Sequence, residues 1–179
     1  MAMVTLHDKR FEPFITAQEL DKAIDAVAAK VTARYAGKVP LFLGVLNGSY
    51  FFASELMRRL DFNCEISFVK VASYHGTVSS GTVRELIGLQ ERITGREVVL
   101  VEDIVDTGNT IAHAMDALQE KSPGSLAVAS MLMKPDVYKK DIPVDYVAMK
   151  IPNVFVVGSG LDHDGLGRNL PGIYRIVEN

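Results

Sequence analysis

The chain reads as an α/β fold with a central mostly parallel sheet flanked by helices, and three observations predict it. Short apolar runs, among them Leu41–Leu46, Val98–Val101 and Leu126–Met133, alternate with segments whose apolar residues fall at helical spacing. The stretch from Leu41 to Val71 reads strand, helix, strand in about thirty residues, the length of one βαβ unit. Of 179 residues, 48% are hydrophobic and 23% charged, so the chain can bury a core, and disordered or collagen-like classes drop out. At this length a single domain spanning 1–179 is expected.

The first predicted element is a helix. Thr16 and Glu19 form a Thr-x-x-Glu capping box, and Leu20, Ile24, Val27, Val31 and Tyr35 follow at helical spacing until Gly37 ends it. Pro40 opens the apolar strand Leu41–Leu46. Asn47-Gly48-Ser49 breaks that strand, and Ser49 is placed to cap a helix running to about Leu60. A second strand covers Cys64 to Val71. Ala72 to Arg84 holds Gly76 and Gly81 among Ser73, Thr77, Ser79, Ser80 and Thr82, and by composition it is a surface loop. Loops of this length in compact domains are often lids. After a turn at Thr94-Gly95, strand Glu97–Val101 runs into two acids and the loop Asp106-Thr107-Gly108-Asn109-Thr110. The helix that follows carries Ile111, Met115 and Leu118 on one face. Further strands fit Leu126 to Met133, Val144 to Met149, Val154 to Gly158 and Ile173 to Val177, with no internal repeat or linker.

Charge narrows the function classes. The formal net charge is −3 and the basic residues are scattered, a poor footprint for nucleic acid or anionic membrane. No apolar run approaches the roughly 18 residues of a membrane span, and Met1–Arg10 lacks the apolar core of a signal peptide. The one cysteine, Cys64, makes neither an intrachain disulfide nor a zinc site by itself. A soluble cytoplasmic protein is expected.

The chemistry concentrates between Val98 and Thr110. In open α/β sheets, ligands bind beyond the carboxyl ends of the strands, where this stretch falls. A loop of Asp, Thr, Gly, Asn and Thr opening a helix aims several N–H groups and two hydroxyls at one place, and the helix dipole favours an anion there, so a phosphate is the natural occupant. An ordinary helix cap would explain one such residue. It does not explain Glu102 and Asp103, two adjacent carboxylates leaving a wholly apolar strand, which repel unless hydroxyls, a cation or a polar ligand satisfy them.

These thirteen residues resemble the phosphoribosyl diphosphate signature of type I phosphoribosyltransferases: an apolar strand, two acids, two apolar residues, then Asp-Thr-Gly-x-Thr. Over most of the chain the resemblance is to hypoxanthine (hypoxanthine-guanine) phosphoribosyltransferases. Leu46-Asn47-Gly48 is similar to that family's diphosphate-binding turn, Ser73-Tyr74 to its lid, and Lys134 to its purine-reading lysine. Phe155, Val156 and Asp162 resemble its purine pocket and metal-contacting end, with Arg168 beyond. The first forty residues carry little of the match.

The resemblance implies transfer of a phosphoribosyl group from phosphoribosyl diphosphate to hypoxanthine or guanine, with Mg²⁺ as cofactor and small molecules as partners rather than nucleic acid or membrane. It implies Glu102 and Asp103 at the ribose hydroxyls and the metal, Thr107, Gly108, Asn109 and Thr110 with Asp106 at the 5′-phosphate, and Asp106 as the base facing the purine. A weak base suffices there, because N7–H becomes acidic as the other ring nitrogen bonds the sugar. Lys134 would donate to a purine 6-oxo group, Phe155 would cover the purine face and the Val156 backbone would meet its edge. Asp162 would contact a second Mg²⁺ through water, while Leu46, Asn47, Gly48 and Arg168 would meet the diphosphate. It further implies a core of about 38–150, a hood from both chain ends, and a homodimer or homotetramer.

Two departures stand out. Asn47 replaces the lysine many members carry after the leucine of the diphosphate turn, where the family has a non-proline cis peptide, here Leu46–Asn47. The stretch Pro135-Asp136-Val137 lacks the extra basic residues of some relatives. His75, His113 and His163 are read as structural or solvent-facing. Two alternatives stay open: a regulator that senses phosphoribosyl diphosphate on the same fold, disfavoured by charge and length, and a xanthine-preferring transferase.

Overall fold

The computed structural model describes residues 2–74 and 83–177. The chain begins with an antiparallel hairpin, β1 (Val4–Leu6) and β2 (Lys9–Ile15). The sequence reading places no element here, because charges and Pro13 interrupt the apolar pattern of β2. Its pairing on a neighbouring strand supplies what local propensity does not.

Helix α1 (Ala17–Tyr35) starts at the expected capping box: Thr16 N–H donates to Glu19 Oε2 at 2.8 Å and Glu19 N–H to Thr16 Oγ1 at 3.2 Å. Its buried stripe is Leu20, Ile24, Val27, Ala28, Val31 and Tyr35. Strand β3 (Leu41–Val45) is buried on both faces, as a central parallel strand must be. Helix α2 (Tyr50–Met57) is shorter than expected and gives way to tighter turns, with Leu60 N–H donating to Met57 O. Ser49 occupies the N-cap position without capping, because its backbone is already helical there and its side chain points inward. That hydroxyl is fully buried with no hydrogen-bond partner among the described residues.

Strand β4 (Glu65–Tyr74) outruns its expected end and pairs antiparallel with β5 (Val83–Ile87). The expected loop Ala72–Arg84 is thus corrected at both ends: Ala72, Ser73, Tyr74, Val83 and Arg84 are strand, since backbone pairing outweighs a polar composition. The rest of that expected lid, with His75, lies outside the described residues.

Strand β6 (Glu97–Val105) leads through the Asp106–Thr110 loop into α3 (Asn109–Gln119). It is followed by β7 (Ser125–Met133), β8 (Tyr146–Lys150), the short β9 (Val156–Val157) and β10 (Ile173–Ile176). The large sheet has the order β5-β4-β3-β6-β7-β8, parallel from β4 to β8. Side chains alternate across it. Phe42, Val99 and Val101 face the cluster of α1 and α2, while Leu41, Leu43, Val98 and Leu100 pack with Ala114 and Leu118 of α3. A second, antiparallel sheet, β1-β2-β10-β9, joins the two ends of the chain around Phe11, Val157 and Tyr174. Among the described residues, no helix is long and apolar enough to cross a membrane.

Candidate active site

The carboxyl ends of β3 and β6 open onto one polar cavity of about 420 Å³. Leu46, Asn47, Gly48, Glu102, Asp103, Thr110, Asp162 and Arg168 line it together with Val45 and Val71. A larger hollow, about 600 Å³, lies along α1 beside Arg59 and shares no residue with it. Three segments far apart in sequence therefore meet: the turn after β3, the acids Glu102 and Asp103 within β6, which runs on to Val105 past its expected end at Val101, and the loop that follows β9. The Leu46–Asn47 peptide is cis, as the resemblance implies.

Backbone contacts hold these segments in register. A Cβ on Gly48 would fall 1.4 Å from Asp103 Oδ2, so the carboxylate rests where only hydrogen fits. Gly160, at φ +107°, presses on the other side of the same residue, since a Cβ there would lie 2.2 Å from the Gly48 carbonyl oxygen. Arg168 ties the third segment to itself: its Nη1 donates to Gly160 O at 2.6 Å and its Nη2 pairs with Asp162 Oδ1 at 2.7 Å. Asp162 also accepts from Gly165 N–H at 2.7 Å.

The acid pair is under electrostatic load. Burial, and secondarily the Asp103 charge, holds the Glu102 carboxyl well above the usual carboxylate range. Its Oε2 has no hydrogen-bond partner among the described residues. Burial pushes Asp103 up to about 6, opposed by the Ile104 N–H donated to Oδ1 at 2.8 Å and by the Arg168 charge. A buried carboxylate with an unused oxygen is costly. A ligand bringing hydroxyls or a hard cation would relieve that cost.

The neighbouring hollow, about 200 Å³, is lined by Glu102 and by the run from Ile104 to Ile111. Gly108 stands at the N-cap of α3 with φ 84°, a left-handed conformation that glycine adopts freely, and no side chain caps the helix. The first N–H groups of α3 are thus left for an anion. Tyr138 and Lys140 back the loop, approaching a notional Gly108 Cβ to 2.5 and 2.8 Å. Asp106 is joined to Lys134, whose buried Nζ donates to Asp106 Oδ2 at 2.9 Å.

Phe155 and Val156, expected at the base, stand apart from these hollows. Val156 is buried in β9, and Phe155 is 45% exposed, held by Phe11 and by the imidazole of His163. His163 is therefore structural, one of the two readings its sequence context allows. Its place after Asp162 was the one available signal. His113 is a helix residue, with Nδ1 2.6 Å from Asn109 O.

Comparison with known proteins agrees with this geometry. The family model described as a phosphoribosyl transferase domain matches residues 15–164. The hypoxanthine-guanine phosphoribosyltransferase of Streptococcus agalactiae serotype V is 47% identical over 153 residues, 85% of each chain. The crystal structure of a hypoxanthine phosphoribosyltransferase from Staphylococcus aureus superimposes with a TM-score of 0.85 at 37% identity, covering 93% of this chain and 91% of that one. That of the Trypanosoma cruzi enzyme gives 0.83 at 30% identity, covering 94% and 97%. A strand carrying paired acids near its end, a phosphate-ready helix start and a matching fold in solved relatives lead to one conclusion: this chain belongs to the phosphoribosyltransferase family, among its hypoxanthine-guanine phosphoribosyltransferases.

Proposed function

We propose that the chain transfers a phosphoribosyl group from phosphoribosyl diphosphate to a 6-oxopurine, hypoxanthine or guanine, releasing diphosphate and forming the nucleoside 5′-monophosphate. The observation that carries this reading is the convergence of Leu46–Gly48, Glu102, Asp103, Asp162 and Arg168 on one cavity beside the Asp106–Thr110 loop. Cleavage at C1′ leaves positive charge on the sugar and negative charge on the departing diphosphate. Glu102 and Asp103 accept hydrogen bonds from the ribose hydroxyls beneath that developing cation. The Leu46–Gly48 turn and the forked Arg168 meet the diphosphate. Thr107 to Thr110 hold the 5′-phosphate, a remote anchor whose binding energy orients C1′ for attack.

Asp106 takes the N7 proton of the purine late in the reaction, and Lys134 fixes its carboxylate in place. An ammonium carries three donors, and one is spent on Asp106. Another meets the purine 6-oxo group. A 6-amino group has nothing to accept it, so adenine would leave a buried donor unpaired. Phe155 covers the base, the Val156 backbone meets its edge, and the small sheet serves as the hood.

The donor set fits Mg²⁺. The buried Glu102 carboxyl with its unpartnered oxygen, and Asp103 and Asp162 on the same cavity, suit an ion that keeps most of its waters and takes few protein ligands. Glu102, Asp103 and, through water, Asp162 would hold the ion, which would supply charge neutralisation at the diphosphate. A homodimer or homotetramer in the cytoplasm completes the proposal, and sedimentation of the purified protein tests the assembly.

The deciding experiment is a spectrophotometric assay with Mg²⁺, phosphoribosyl diphosphate and hypoxanthine, guanine, xanthine or adenine separately. Turnover of 6-oxopurines without adenine is expected. Binding of phosphoribosyl diphosphate with no turnover of any base would overturn the reading in favour of a sensor.

A further inference from the structure

The imidazole of His163 takes part in no step above, yet it stands against the ring read as the purine platform. Phe155 flanks a strand of two residues and leaves 45% of its surface exposed. A half-exposed phenyl ring in such a place has little local structure to choose its tilt. Two rings supply the constraint. Phe11, fully buried in the small sheet, lies 6.1 Å away and tilted by 44°. His163 lies 5.8 Å away at 83°, an edge-to-face contact within the favourable range for aromatic pairs.

His163 is itself bounded on every side. Its backbone exchanges hydrogen bonds with Leu166 at 2.9 and 3.1 Å, closing the turn that carries it. Its ring lies 6.0 Å from Phe11 and 5.7 Å from His7. Nε2 stands 3.6 Å from Asp8 Oδ1 and Nδ1 stands 3.9 Å from Asp164 Oδ2, while His7 Nε2 is 3.2 Å from Asp164 O. The N-terminal hairpin turn, His7–Asp8, and the turn after Asp162 thus grip one imidazole between them.

We propose that His163 is a positioning residue for the purine base: its ring edge fixes the tilt of Phe155, and through it the N-terminal hairpin sets affinity for the base but not for the sugar phosphate. This rests on the reading of Phe155 as the surface that covers the purine. The contact lies on the hood, and neither cavity that carries the phosphate and diphosphate residues includes His163 or Phe155 in its lining. Loss of the ring should therefore separate the two substrates.

Steady-state kinetics of the full chain with hypoxanthine and phosphoribosyl diphosphate test this, comparing wild type, His163→Leu and His163→Phe. His163→Leu is expected to raise KM for hypoxanthine about three- to tenfold, the range an edge-to-face contact supports. KM for phosphoribosyl diphosphate stays within about twofold, and His163→Phe returns the hypoxanthine KM to within about twofold of wild type. A parallel rise in both KM values, no change in either, or failure of the phenyl ring to rescue overturns the proposal. Thermal melts report folding, and His163→Gln, polar but ringless, replaces the leucine variant if that does not fold. An inactive wild type defeats the functional reading instead; the His163 proposal fails only against an active one.

Discussion

The half of the site proposed to face sugar and phosphate and the half proposed to face the base are built in opposite ways. The first comes mostly from one continuous stretch, Glu102 to Thr110, at the end of a strand buried in the middle of a six-stranded sheet. The second is assembled from His7, Asp8 and Phe11 near one end of the chain and Phe155 and His163 near the other. The first inherits its rigidity from the main core. The second depends on a small sheet whose own core is Phe11, Val157 and Tyr174 with a few partners. A site divided this way can hold its reacting sugar firmly while the base platform is retuned separately.

That division can be broken from either side. Asp106 belongs to the continuous half but is proposed to face the base, so Asp106→Asn is expected to lower kcat by about a hundredfold or more, the usual scale for a lost general base. KM for phosphoribosyl diphosphate should change far less, and equal losses in both would remove Asp106 from its role. Gly48→Ala pushes a methyl group onto the Asp103 carboxylate. A displacement near 1 Å at a reacting centre costs on the order of a hundredfold in kcat/KM, and titration with phosphoribosyl diphosphate should show the loss in the sugar-phosphate half alone. Lys134→Met removes the donor expected to read the 6-oxo group and leaves Asp106 without its partner. Activity with hypoxanthine should fall about tenfold or more while discrimination against adenine narrows, measured as the ratio of the two kcat/KM values. The smallest effect sharpens the comparison by touching neither half: Thr16→Ala removes the α1 cap, costing about 1 kcal/mol. It should lower the melting midpoint by about 2–4 °C and leave both KM values unchanged.

Legibility in the sequence follows the same division. The acid pair and the Asp106–Thr110 loop are visible because a strand, its ligands and the helix start are consecutive, so local rules of capping and charge apply directly. The capping box of α1 and the central strands are legible for the same reason. The hairpin β1–β2 is not, because Lys9, Arg10 and Pro13 argue locally against a strand that pairing with β10 stabilises. Ser49 misleads in the other direction: it stands where a cap belongs, but its hydroxyl is buried without a partner. His163 shows its place only once the chain ends are brought together, since no spacing rule connects residue 163 to residues 8, 11 and 155.

Gly48, lying between the Asp103 carboxylate and Gly160, has a consequence for redesign. At this point the turn after β3 meets the Asp103 carboxylate and the backbone of Gly160, with no room for a side chain between them. The separation between this turn and the acids is thus a ruler set by close contact of peptide units and a carboxylate. A library seeking new bases or altered sugars gains nothing by varying residues 48 and 160, where every larger side chain shifts the scale itself. Diversity spent on the aromatic ring cluster changes what the ruler measures and leaves its length alone.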